Sequence, residues 1–226
     1  MKLRKENKYY SLDKILSKDC DYNLIIGERS NGKTYALLEY SIKQFYTKGE
    51  QTALLRRWKE DIRGKRADTL YSAFNDGRVK ELTNGEYTEI YYYNGRYYLS
   101  NYDSEIGKHC PNPTPMAFTF ALSEMEHDKS TSYPEITTIV FDEFIPERGT
   151  AVRKDAGYNL KSSIQSVTDV NTADIPVWLL ANSNNLDSDV LQEFGLISVY
   201  EEMRLTGANC WLSPDGGTLC VDFKKS

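Results

Sequence analysis

The chain alternates short apolar runs of strand length with stretches in which apolar residues recur every three or four positions. "NLIIG" (23–27) has the look of a buried strand, and the segment after it sets Leu37, Leu38, Ile42, Phe45 and Tyr46 at helical spacing before Gly49, a natural helix C-cap. "QTALLRR" (51–57) predicts a second strand, and the stretch from there to Gly77 reads as broken helix. "EYTEIYYYNGRYYLSNY" holds two β-rich runs around Asn94-Gly95, a strong hairpin signal. Its tyrosines are expected to form a β-hairpin insertion, about 86–100, at a solvent edge. After a polar loop with Pro111, Pro113 and Pro115, "MAFTFALS" predicts a strand, "HDKSTSYP" a loop, and "ITTIVFDEF" (136–144) a buried strand ending in two carboxylates. "YNLKSSIQSVTDV" predicts a helix, "IPVWLLANSNN" a strand with a polar tip, and "CWLSPDGGTLCVDF" a C-terminal hairpin, about 208–223. Apolar strands separated by helical segments indicate an α/β fold with a mainly parallel central sheet flanked by helices. Ligand chemistry is then expected at the carboxyl ends of the strands.

The junction of the first strand and helix carries the clearest chemistry. Gly27, Gly32, Lys33 and Thr34 fit G-x-x-x-x-G-K-[ST], directly after a strand and directly before a helix, where the mechanism of that pattern requires it. The backbone N–H groups of Glu28, Arg29, Ser30, Asn31, Gly32, Lys33 and Thr34, with the positive helix end, would surround the phosphates of ATP. Lys33 would reach the β and γ phosphates and the Thr34 hydroxyl would ligate Mg2+. Asp142 and Glu143 end a second strand, expected beside the phosphate loop: Asp142 suits the magnesium shell and Glu143 the base for an attacking water. Asn182 and Asn184 in "LLANSNN" can hydrogen-bond the γ-phosphate or the water, although a strand ending in Asn is also ordinary turn chemistry. This order of motifs points to a P-loop NTPase of the additional-strand, catalytic-glutamate type. Such ATPases complete the site with a basic residue from a neighbouring subunit. A P-loop kinase of small molecules and a non-catalytic nucleotide-dependent assembly module are the alternatives.

Composition changes this picture little. With 226 residues, 40% hydrophobic and 27% charged, the chain suits a globular domain over 1–226. It has no apolar run of about 18 residues, and its polar start, "MKLRKENKYY", is unlike a signal peptide, so neither membrane contact nor export is expected. Cys20, Cys110, Cys210 and Cys220 lack zinc-site spacings and read as reduced thiols, Cys210 and Cys220 facing each other across the last hairpin. His109 and His127 are far apart in sequence. A net charge of -5 argues against a protein that coats DNA. Residues 56–66, "RRWKEDIRGKR", nevertheless carry six basic side chains against Glu60 and Asp61, with Trp58 among them. Taken alone they are either a solvated face or a DNA-facing patch.

"IIGERSNGKTYA", "LLRRWKEDI", "KSTSYPEITTIVFDEFI" and "LLANSN" together resemble the genome-packaging motor ATPases of short-tailed bacteriophages, relatives of the terminase large subunits. The resemblance implies a homo-oligomeric ring, a pentamer, docked transiently on the portal protein of an empty procapsid in the host cytoplasm and driving double-stranded DNA inward with ATP. A packaging RNA is a further candidate partner. It also implies that Lys129 acts across the subunit boundary, that Arg29 helps to switch the catalytic glutamate, and that Lys59, Arg63, Lys65 and Arg66 face the DNA channel. The family's trans-acting arginine has no counterpart between Arg153 and Arg204, which makes Arg148 or Arg153 its substitute. The C-terminal nuclease-like domain of such motors is not expected within this chain.

Overall fold

The computed structural model describes residues 10–122, 133, 135–145, 175–182, 191–192, 194–214 and 219–224. The strands, in chain order, are β1 (Tyr22–Gly27), β2 (Gln51–Arg56), β3 (Glu89–Tyr93), β4 (Arg96–Asp103), β5 (Lys108–Pro111), β6 (Ala117–Ala121), β7 (Ile136–Asp142), β8 (Val177–Asn182), β9 (Cys210–Leu212) and β10 (Leu219–Lys224). The helices are α1 (Asp13–Leu16), α2 (Lys33–Lys48), α3 (Gly64–Thr69), α4 (Arg78–Leu82) and α5 (Ile197–Thr206). Among the described residues the strands form one ten-stranded sheet in the order β3-β4-β6-β2-β7-β8-β1-β10-β9, with β5 beside β4.

From β6 to β10 neighbouring strands run parallel. This is the α/β architecture that the apolar runs predict. Side chains alternate across these strands, so each strand feeds two cores. Ile25, Leu54, Val140, Trp178 and Leu180 meet Leu37, Leu38, Ile42 and Phe45 of α2 on one face. Leu24, Ile26, Leu55, Ile139, Phe141 and Leu179 meet Tyr200 and Met203 of α5 on the other. Truncating a fully enclosed side chain such as Ile42 to Ala removes about 2–5 kcal/mol of stability. Helix α2 stops where Gly49 turns left-handed at φ 76° and donates its N–H to Phe45 O at 2.8 Å.

Several expectations are corrected. The strand ending in Asp142 does not lie beside β1, because β8 intervenes and pairs with both β1 and β7. The hairpin turns at Asn94 (φ 47°) and Gly95 (φ 78°), the left-handed pair that a tight two-residue turn demands. It lies at an edge of the sheet as expected, β3 being the end strand, but it is part of the main sheet, since β4 pairs Arg96 with Phe118 and Tyr97 with Ala117. One side of it is core: Ile90, Tyr97 and Leu99 are buried. The polar loop at Pro111 contains strand β5, paired antiparallel to β4. The broken helix continues past Gly77 into α4. In the antiparallel pair β9–β10, Cys210 lies opposite Asp222 and Cys220 opposite Leu212, so the two cysteines are not cross-strand partners. The helix expected over 158–170 falls outside the described residues.

Candidate active site

The loop from Gly27 to Thr34 connects the carboxyl end of β1 to the first turn of α2. Two of its residues take left-handed backbone, Ser30 at φ 64° and Gly32 at φ 86°, which curls the chain under the helix start. Lys33 is buried, and its ammonium donates to Gly27 O at 3.1 Å, Glu28 O at 2.7 Å and Asn31 Oδ1 at 3.1 Å. Burial lowers the Lys33 pKa, and the charge of Asp142 acts against that shift. A cavity of about 240 Å³ opens over the loop, lined by residues 29–35 with Asp142, Glu143, Ala181 and Asn182. The amide nitrogen of Asn31 is shut off from solvent and has no hydrogen-bond partner among the described residues.

Carboxylates reach this cavity from β7. Thr34 Oγ1 donates to Asp142 Oδ2 at 3.0 Å, closing a contact between residues 108 positions apart. Arg56, at the end of β2, donates to the same oxygen at 2.8 Å, and its other terminal nitrogen pairs with Glu143 Oε2 at 2.8 Å. One guanidinium thus spans two acids through its planar fork. Glu143 stands at φ 57°, a left-handed conformation that costs a residue with a side chain about 1–2 kcal/mol. Its N–H donates to Asp142 Oδ1 at 2.9 Å, and the next residue, Phe144, donates its N–H to Leu180 O at 3.0 Å. The strained turn is therefore tied down at both sides, and it leaves the Glu143 carboxylate about 57% exposed while Asp142 is about 13% exposed.

Of the residues that the sequence singles out, Arg29 to Thr34, Asp142, Glu143 and Asn182 line this cavity, and Gly27 and Glu28 meet Lys33 through their carbonyls. Asn182 ends β8 in register with Gly27. Asn184, Lys129, Arg148 and Arg153 lie outside the described residues. Arg29 lines the cavity, and among the described residues Arg56 forms an ion pair with Glu143. By charge pattern alone Arg56 belongs with the basic run. The signal for it was positional: it is the last residue of a parallel strand next to β7, with Leu55 in register with Phe141. Of the basic run itself, Lys59 sits in a short 3₁₀ turn, Arg63 caps α3, and Lys65 and Arg66 lie in the first turns of α3, Arg66 paired with Asp61. The hairpin holds this run in place, because Tyr92 Oη donates to Ile62 O at 3.1 Å and Tyr97 Oη to Ala67 O at 2.7 Å.

A profile of the podovirus DNA encapsidation proteins (Gp16) matches residues 4–159, more than half of the chain. The chain belongs to that family. Its relatives include the DNA packaging protein of Bacillus phage B103, 34% identical over 134 residues (59% of this chain, 35% of the relative), and that of Bacillus phage phi29, 32% identical over 140 residues (62% and 36%). The chain thus spans about a third of the length of the curated relatives it matches. Its fold is that of the N-terminal domain of the DNA packaging ATPase from bacteriophage phi29, with a TM-score of 0.72 at 24% identity over 96% of this chain and 97% of that one. The Phi-28 gp11 DNA packaging motor gives 0.75 at 16% identity over 98% and 61%. The matched stretch, residues 4–159, takes in both the phosphate loop and the Asp142-Glu143 turn.

Proposed function

We propose that this chain is the ATP-hydrolysing unit of a DNA-encapsidation motor, a P-loop ATPase of the additional-strand, catalytic-glutamate type. The observation that carries the reading is the convergence of Thr34, Asp142, Arg56 and Glu143 on the cavity over the phosphate loop. The interposed strand β8 supports the additional-strand class. Lys33 grips the β and γ phosphates, trading its loop carbonyls for phosphate oxygens. The unpartnered amide of Asn31 is a further donor for an oxyanion. Thr34 Oγ1 and Asp142 Oδ2, two hard oxygen donors 3.0 Å apart, suit Mg2+, which takes one or two protein oxygens and completes its shell with phosphates and water. When bound, the ion neutralises charge on the transferring phosphoryl group.

Glu143 accepts a proton from the attacking water as the bond between the γ-phosphorus and the β–γ bridging oxygen breaks, leaving ADP and phosphate. Arg56 sets the position of that carboxylate, and Asn182 at the tip of β8 reads the γ-phosphate end. The donor acting across the subunit boundary is Arg148 or Arg153, with Lys129 as a second cation from the neighbour. Lys59, Arg63, Lys65 and Arg66 contact DNA phosphates inside a ring of copies, a pentamer, stacked on the portal of a procapsid, where a packaging RNA is a further partner. The relatives' packaging names support phage DNA as the cargo.

The test is phosphate release from ATP with and without double-stranded DNA. Stimulation by DNA with no phosphorylated small-molecule product is expected; turnover indifferent to DNA would overturn the motor reading. Mixing Glu143→Gln subunits with Arg148→Ala or Arg153→Ala subunits should restore part of the activity at shared boundaries. No rescue in any mixture removes those arginines from the trans role.

A further inference from the structure

The phosphate cavity is too small for a whole nucleotide. At about 240 Å³ it falls below the usual range for a small-molecule site, roughly 300–1,000 Å³. Its chemistry marks one end: Asp142, Glu143 and Asn182 suit the γ-phosphate, and Tyr35, which follows Thr34 on α2, also lines the cavity. Tyr35 also lines a second cavity, of about 610 Å³, between the outer face of α2 and the segment preceding β1.

That second cavity is built for a flat heterocycle with hydroxyls attached. Tyr10, Tyr35 and Tyr40 contribute rings, with Leu12 and Leu16 beside them. The Tyr35 ring is fixed in place by stacking on Phe74, centroids 4.3 Å apart and planes 14° apart. Tyr40 Oη accepts a hydrogen bond from Gln44 Nε2 at 2.9 Å, which aims its own hydrogen elsewhere. Burial, aided by the charge of Glu50, raises its pKa, so the phenol keeps that hydrogen at neutral pH. The Glu39 carboxylate is held by Lys43 at 2.6 Å on one oxygen and by Arg78 at 3.1 and 2.9 Å on the other, contacts that use three of its roughly four acceptor sites.

We infer that this cavity is the nucleoside subsite of the same nucleotide: the base lies among Tyr10, Tyr35 and Tyr40 with a ring nitrogen facing the Tyr40 hydroxyl, and the remaining acceptor site of Glu39 takes a ribose hydroxyl. The inference rests on the phosphate-loop reading above, and the test separates the two. ATP and inorganic tripolyphosphate are compared by calorimetry on the wild type, Lys33→Ala, Tyr10→Leu, Tyr40→Phe and Gln44→Ala. The wild type should hold ATP at least about tenfold tighter than tripolyphosphate, as loss of one base–aromatic stack is worth. Tyr10→Leu should cost ATP about tenfold and Tyr40→Phe and Gln44→Ala several-fold, all three leaving tripolyphosphate affinity unchanged. Photolabelling of the wild type with 8-azido-ATP should mark residues 10–16 or 35–44, a readout independent of how well any variant folds. Unchanged ATP affinity in all three variants, or label placed elsewhere, overturns the subsite. If Lys33→Ala still destroys tripolyphosphate binding in that case, the phosphate reading stands alone; if Lys33→Ala binds tripolyphosphate like the wild type, both readings fall.

Discussion

The strands β1, β7 and β8 are buried on both faces, whereas those at the hairpin end of the sheet mix buried with exposed positions, and the two regions expose their purposes very differently. At the first, a few short-range patterns meet at one cavity, and polar atoms are spent on one another: Thr34, Asp142, Arg56 and Glu143 form a single connected set. At the second, polar groups act as struts. Two tyrosine hydroxyls of the hairpin carry the backbone of the basic run, while Tyr93 and Tyr102 stay exposed on the opposite side. A reacting centre is thus legible from its residue types, whereas a supporting surface is legible only from the contacts that hold it.

The comparison breaks most sharply at Lys33. Lys33→Ala should abolish ATP binding and turnover while the hairpin end, and with it DNA affinity at low salt, is unchanged; nucleotide titration and DNA binding measured on one preparation check both halves. Arg56→Ala comes next. With the two carboxylates no longer held in one geometry, turnover should fall about 10²-fold with a smaller change in KM, the usual cost of mispositioning. Arg56→Lys should recover little, because an ammonium does not bridge two acids in a fixed plane.

Charge reversal at Lys59, Arg63, Lys65 and Arg66 should leave nucleotide affinity nearly intact and weaken DNA binding about tenfold or more. The slope of log affinity against log salt should flatten by about 0.9 for each lost phosphate contact. Collapse of nucleotide affinity instead would place the run within the ATP site or the core, and the two ends would be one. Tyr97→Phe is the smallest change. It removes the donor to Ala67 O inside the buried hairpin face and should cost about 1–2 kcal/mol, seen as a melting temperature lower by about 2–8 °C. DNA binding should weaken with it, since α3 loses its strut.

What the sequence showed and what it hid follow the same division. The phosphate loop and the acids after "IVF" are local: strand, turn and chemistry occur within about ten residues, so pattern alone places them. Their relation is not local. That β8, more than thirty residues further along the chain, slides between β1 and β7 depends on pairing among nearly equivalent apolar strands, which no spacing encodes. Arg56 was hidden by its neighbours, since five other cations follow it within ten residues and charge patterning assigned all of them one role. Strand β5 was hidden by Pro111, which a strand end tolerates where its missing N–H is not required. The tyrosines of the hairpin looked alike in sequence; only the register of β4 against β6 buries Tyr97 and leaves Tyr102 in water.

The most direct test of the hydrolytic centre is Glu143→Gln, followed by ATP affinity and phosphate release on the same protein. Glutamine keeps the shape of the strained turn and removes the base. ATP should bind within a few-fold of the wild type while phosphate release falls by about 10²–10⁴-fold. Phosphate release at the wild-type rate would contradict the assignment of Glu143 as the base and, with it, the account of this site.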